Sequence, residues 1–152
     1  MGSQIKLTLV NLTSAMQTLG IFDKVQGVEP KSPPGNGITA AVYLQSVRPV
    51  GEVSGLDRAS SLYVFTLRLY SNMLQEPAED IDPNLAECID KVFDALVGDV
   101  DLGTTVRSID FYGMCGTSVS ARAGYVDVGG TMFRAIDILI PLIVNDSTEA
   151  FS

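Results

Sequence analysis

The chain opens on a helical rhythm. Ile5, Leu9, Leu12, Met16 and Leu19 recur at alternating spacings of four and three, which makes one apolar stripe of a helix predicted over residues 4–19. Ser3 is placed to cap it and Gly20 to stop it. The pattern then changes period. Ile21 to Val28 reads as a short strand anchored by Phe22, and Ile38 to Val47 as a strand with Ile38, Ala40, Val42 and Leu44 on one face. Pro49 should end that strand or hold it at an edge, because proline has no N–H for a ladder. Ser61 to Met73 alternates most plainly, with Tyr63, Phe65, Leu67 and Leu69 together.

A second helix is predicted over residues 83–97. Asp82 stands as its cap, Pro83 in its first position, and Leu85, Ile89, Val92 and Leu96 form its stripe, flanked by Cys88 and Phe93. Val106 to Tyr112 and Ser118 to Val128 read as strands, and Gly129-Gly130 as a hairpin turn into a long strand from Met132 to Val144. That last strand is apolar at even positions (Met132, Ile136, Ile138, Ile140, Leu142) and at several odd ones (Phe133, Leu139, Ile143). A strand apolar on both sides is covered on both, by a helix on one and by a neighbouring subunit on the other. The order helix, strands, helix, strands predicts one α+β domain over residues 1–152, with two helices on one face of a mostly antiparallel sheet and a loose polar tail at 145–152.

Composition narrows the function classes. Apolar residues make up 46% and charged residues only 18% of 152 residues, which suits a globular domain that hides part of its surface against partners. The net charge of −8 is wrong for wrapping nucleic acid, which needs cations to neutralise phosphate, but suits a passage through which DNA slides without sticking. No apolar run is long enough to span a membrane, and the start lacks a cleavable signal pattern. Two cysteines, Cys88 and Cys115, make no disulfide framework, so a reducing cytoplasm is the expected setting for folding, and Cys88 reads as a buried small hydrophobe.

Candidate chemistry is sparse. There is no histidine, the commonest general base and metal ligand. No phosphate-binding or dinucleotide fingerprint is present, and no cofactor or metal is expected. Gly113 to Ser118 resembles a nucleophile turn around Cys115, but without a histidine it reads as a loop. The acidic run Glu76 to Asp82 has carboxylates for a hard cation but not the calcium-loop spacing, and reads as solvated loop. Asp110 and Asp137 form either an acid–base pair or partners for Arg68, Arg107 or Arg134; the second reading predicts a charged seam between subunits. The Pro/Gly-rich segment 29–37, with Lys31, Pro33, Pro34 and Asn36, is stiff enough to dock at low entropic cost. It is expected to touch a neighbouring subunit or ring, because a simple connection needs fewer residues.

Three stretches carry a likeness that patterning does not. They are Gly20-Ile21-Phe22-Asp23-Lys24-Val25 with Glu29-Pro30-Lys31 and Pro34 to Val42; Phe65 to Tyr70 with Met73-Leu74-Gln75 and Ile81-Asp82-Pro83; and Ala123-Gly124-Tyr125-Val126 with Met132-Phe133-Arg134 and Pro141 to Asp146. Together they resemble, in register over most of the chain, the tail terminator proteins of long-tailed siphophages of actinobacterial hosts. The resemblance implies a homohexameric ring on the head-proximal end of the tail tube, assembled in the host cytoplasm and carried in the virion. Its expected partners are itself, the tail tube protein and a head completion or connector protein, with DNA passing through the lumen. It brings no catalytic residues, so no enzymatic activity is expected. Neighbouring tail-completion or connector proteins share this size and character. A tail tube subunit is a weaker alternative, and a small host enzyme or ligand-binding domain is the alternative of another class.

Overall fold

A computed structural model describes residues 2–28, 30, 37–50, 60–72, 81–98, 106 and 108–145, with side chains from residue 5 onward. The element order is α1 (Gly2–Thr18), β1 (Lys24–Gln26), β2 (Ile38–Pro49), β3 (Ser60–Asn72), α2 (Ile81–Gly98), β4 (Ser108–Ile109), β5 (Ser120–Val128) and β6 (Thr131–Asn145). The strands form one curled sheet in the order β1-β2-β3-β6-β4, with β5 also paired to β6. All pairings are antiparallel except β1 with β2. This is the α+β architecture that the alternating periods predict, with both helices on one face of the sheet.

The core lies between the helices and that face. α1 contributes Leu12 and Met16; α2 contributes Ile81, Leu85, Cys88, Val92 and Leu96. They meet Tyr63, Phe65, Leu67 and Leu69 of β3 and Ile136, Ile138, Ile140 and Leu142 of β6. Met132, the first of the even apolar positions expected of β6, is 49% exposed and lies outside this core. The α2 stripe is turned slightly from the predicted one: Cys88 is 6% exposed while Ile89 is only partly buried. The 6% confirms Cys88 as a small core hydrophobe. Both helices start before their predicted caps. Ser3 lies inside α1, and Asp82 lies in the first turn of α2, where its carboxylate meets Arg134 at 2.9 Å. Gly20 does stop α1, with φ of 68° and its N–H donating to the Gln17 carbonyl.

The readings of Pro49 and of Gly129-Gly130 hold, with physical reasons, whereas Pro83 is the third residue of α2 and not its first. β2 ends at Pro49, and beyond Ala41 only β3 pairs with it. A bulge at Gln45 returns Val47 to the helix side and leaves Leu44 37% exposed, outside the expected core. Pro141 sits inside β6, opposite Val64 of β3. Its carbonyl accepts from the Asp110 N–H, so its nitrogen faces away from β3, into the gap between the last β5 pair at Leu139 and the first β4 pair at Leu142. No donor is lost to the central ladder. Gly129 and Gly130 take φ of 59° and 87° between the paired Val128 and Thr131, the two-residue turn that the sequence signals.

The predicted strand from Val106 to Tyr112 shrinks to Ser108–Ile109. Asp110 turns the chain out of the sheet by accepting from the N–H groups of Met114 and Cys115, and Phe111 N–H folds back to the Ile109 carbonyl. The predicted strand at 21–28 is likewise only Lys24–Gln26.

Candidate functional site

The sheet face away from the helices is where charge and apolar surface meet. Side chains alternate across a strand, so the odd positions of β6 and the even positions of β3 and β5 share this face. Two small apolar clusters sit on it. One holds Val50, Leu62, Val64, Cys115 and Ile143; the other holds Ala41, Tyr70, Val128 and Phe133, with Tyr70 and Phe133 edge to face at 6.2 Å. The expectation that β6 is covered on both sides therefore holds in part within one chain, without a neighbour.

Between the clusters runs a row of three charged side chains. Arg68 of β3 and Arg122 of β5 both lie directly across from Asp137 of β6. Arg68 clamps Asp137 with two bonds, Nε to Oδ1 at 2.6 Å and Nη2 to Oδ2 at 2.9 Å. Its hydrogen bond to Asp137 holds the guanidinium in the charged form, against the opposing effect of burial. The Tyr43 ring lies 5.9 Å from the Arg68 guanidinium carbon. Arg122 is exposed, and no side chain among the described residues is bonded to it.

Next along the same face, Gly124 is paired with Ala135. These two small residues leave a depression of about 270 Å³, lined by Arg68, Arg122, Asp137, Val126 and the β5 backbone at 123–125. A Cβ on Gly124 would meet nothing within 4 Å, so the hollow is open above it.

The predicted seam residues separate into different environments. Arg68 and Asp137 pair within one chain. Arg134 points to the helix side: Nε bonds Asp82 at 2.9 Å, Nη1 bonds the Gly124 carbonyl at 3.2 Å, and the guanidinium lies 4.6 Å from the Tyr125 ring centroid. Asp110 is 5% exposed and meets no arginine among the described residues; its two oxygens accept from Met114 N–H at 2.9 Å and Cys115 N–H at 2.8 Å. The acid–base pair of Asp110 and Asp137 is thus replaced by two separate structural roles. Arg107, Lys31, Pro33, Pro34 and Asn36 lie outside the described residues, as does the tail beyond Asn145.

The segment around Cys115 is a stapled loop. Glycines at 113 and 116, with φ of 74° and 111°, let it turn, while the Cys115 side chain is buried in the apolar cluster. The loop presents Tyr112 and Met114 outward, 98% and 71% exposed.

Sequence reasoning missed Arg122, whose place opposite Asp137 is visible only from strand register. It also missed a clasp at the start of the sheet. Asp23 accepts from the Ile38 N–H at 2.7 Å and donates its own N–H to the Ile38 carbonyl at 2.9 Å. Gly37, at φ of 84°, leaves room for that carboxylate, which a Cβ there would overlap. The clasp also supplies an internal reason for the long 27–37 connection. β1 and β2 run parallel, and parallel strands are not joined by a two-residue turn.

Among the described residues no group of three or more His, Cys, Asp or Glu is placed to hold a metal, and no helix is long and apolar enough to cross a membrane. No model of a known protein family matches the chain, and no curated protein sequence matches it.

Proposed function

We propose that this chain is a tail terminator of a long-tailed phage, a structural protein that closes into a ring, caps the head-proximal end of the tail tube and offers a surface for head joining. The observation that carries the reading is the in-register resemblance of the stretches at 20–42, 65–83 and 123–146 to that family. The surface is compatible with it. Tyr112 and Met114 stand out on a loop held by Asp110, so a neighbour that covers them gains apolar contact at little ordering cost. β5 pairs on one side only, which leaves a strand edge open to a second chain among the described residues. The function requires no catalysis, cofactor or metal.

A second reading has one observation in its favour. β5 and β6 form a hairpin with nine paired positions, from Ser120↔Leu139 to Val128↔Thr131, the kind of element a tube subunit uses to build a barrel. Electron microscopy of the purified chain, alone and mixed with a tail tube protein of the same phage, separates the readings. A terminator gives closed rings alone and short tubes capped at one end in the mixture. Open-ended tubes from the chain alone would assign it as the tube subunit. Rings that leave tube length unchanged would assign it as a connector, and a persistent monomer would refute all three.

A further inference from the structure

At the Gly124–Ala135 depression, cationic charge outweighs its partner. Asp137 is engaged on both oxygens by Arg68, while Arg122 stands on its other flank. The three side chains sum to +1 in a chain whose net charge is −8. The same face carries Arg48, whose guanidinium lies beside Gly116, and its only other described acid, Asp110, is consumed by backbone N–H groups. A hollow with one uncompensated guanidinium, open above a glycine and walled by a fixed ion pair, favours an anion of carboxylate size.

The opposite side of the molecule supplies that anion. α2 carries Asp82, Glu87, Asp90 and Asp94 against the single cation Lys91. Asp82 is taken by Arg134 and Glu87 by Lys91, whereas Asp90 and Asp94 are exposed one helical turn apart and no side chain among the described residues is bonded to either. α2 covers the face of the sheet opposite to Arg122. A cationic hollow on one side and an acidic helix ridge on the other are complementary only between copies. Such head-to-tail contacts are the kind that generate rings when the rotation closes.

We infer that the depression bounded by Arg68, Arg122 and Gly124 is a carboxylate-binding site, and that its occupant is Asp90 or Asp94 on α2 of a second copy of this chain. The inference deepens the ring reading and rests on it. Charge reversal and its repair test it on the full chain. Sedimentation velocity across a concentration series is measured for wild type, Arg122→Glu, the double variant Asp90→Lys/Asp94→Lys, and the triple combination, with far-UV circular dichroism and thermal unfolding confirming that each folds. Gly124→Leu adds a block that fills the hollow without changing charge. Arg122→Glu, the double Asp variant and Gly124→Leu are each expected to weaken self-association by about tenfold or more, and the triple variant to recover most of it. High salt should weaken the wild-type association in the same direction. Rings from all variants with wild-type affinity would overturn the contact and leave the ring reading standing. Loss in Arg122→Glu without loss in the Asp variants would overturn α2 as the occupant. A wild type that stays monomeric at every concentration would overturn both.

Discussion

Asp110 is the most economical place to disturb this fold, because one carboxylate holds a whole loop. It is 5% exposed and takes the N–H groups of Met114 at 2.9 Å and Cys115 at 2.8 Å. The two bonds are unequal. Met114 is largely exposed, so water can replace its partner, and that bond contributes about 1 kcal/mol. Cys115 is buried in an apolar cluster, so its N–H would be stranded, at a cost of about 2–3 kcal/mol. Asp110→Ala should therefore lose about 3–4 kcal/mol in urea unfolding followed by far-UV circular dichroism, a fall in Tm of about 8–12 °C for a domain of this size. Asp110→Asn keeps one oxygen and should lose about half as much. Amide exchange gives the local signature: Cys115 N–H should lose protection in Asp110→Ala, while amides in the middle of β3 keep theirs relative to global stability. A loss below about 1 kcal/mol for Ala, or equal losses for Ala and Asn, would refute the view that buried N–H satisfaction is what the carboxylate provides.

Three further outcomes are expected. A double-mutant cycle of Arg68→Met with Asp137→Asn should give a coupling of about 1–2 kcal/mol, since the clamp is bidentate and only partly exposed; a value under about 0.3 kcal/mol would place it among inert surface pairs. Gly37→Ala should destabilise by about 2–3 kcal/mol, combining left-handed backbone strain with displacement of the Asp23 carboxylate from Ile38 N–H, and Asp23→Ala should remove part of that penalty; equilibrium unfolding of the two single variants and the double one measures both. Burial pushes the Cys88 thiol above its ordinary value of 9.0, so the protonated form is favoured in the folded state; this contribution is present in full below that value and is lost as pH rises through the folded one. Thermal unfolding from pH 8 to 11 should accordingly decline less steeply in Cys88→Ala than in the wild type, although the variant starts lower for lost packing.

Periodicity alone determined the larger part of this fold. The stripes of α1 and α2, the alternation of β3 and the glycine pair at 129–130 each report a local constraint, helical repeat, pleat or turn, that neighbouring residues impose on one another. The same locality explains what the sequence left open. Which residue begins a helix depends on competing partners: Asp82, in the first turn of α2, has its carboxylate bonded to Arg134, which lies far along the chain. The strand expected at 106–112 was cut short at Ile109 by a side-chain carboxylate that reaches its own backbone four and five residues ahead. Charge partners were the least legible of all. Arg68, Arg134, Asp110 and Asp137 were singled out as one seam, yet register sends Arg134 to the helix side and leaves Arg68 clamped to Asp137 beside Arg122, while the turn after β4 takes Asp110 inward. A one-residue change of register would reverse the facings of Arg68, Arg134 and Asp137, and register is fixed only when β3, β5 and β6 pack their apolar faces against the two helices.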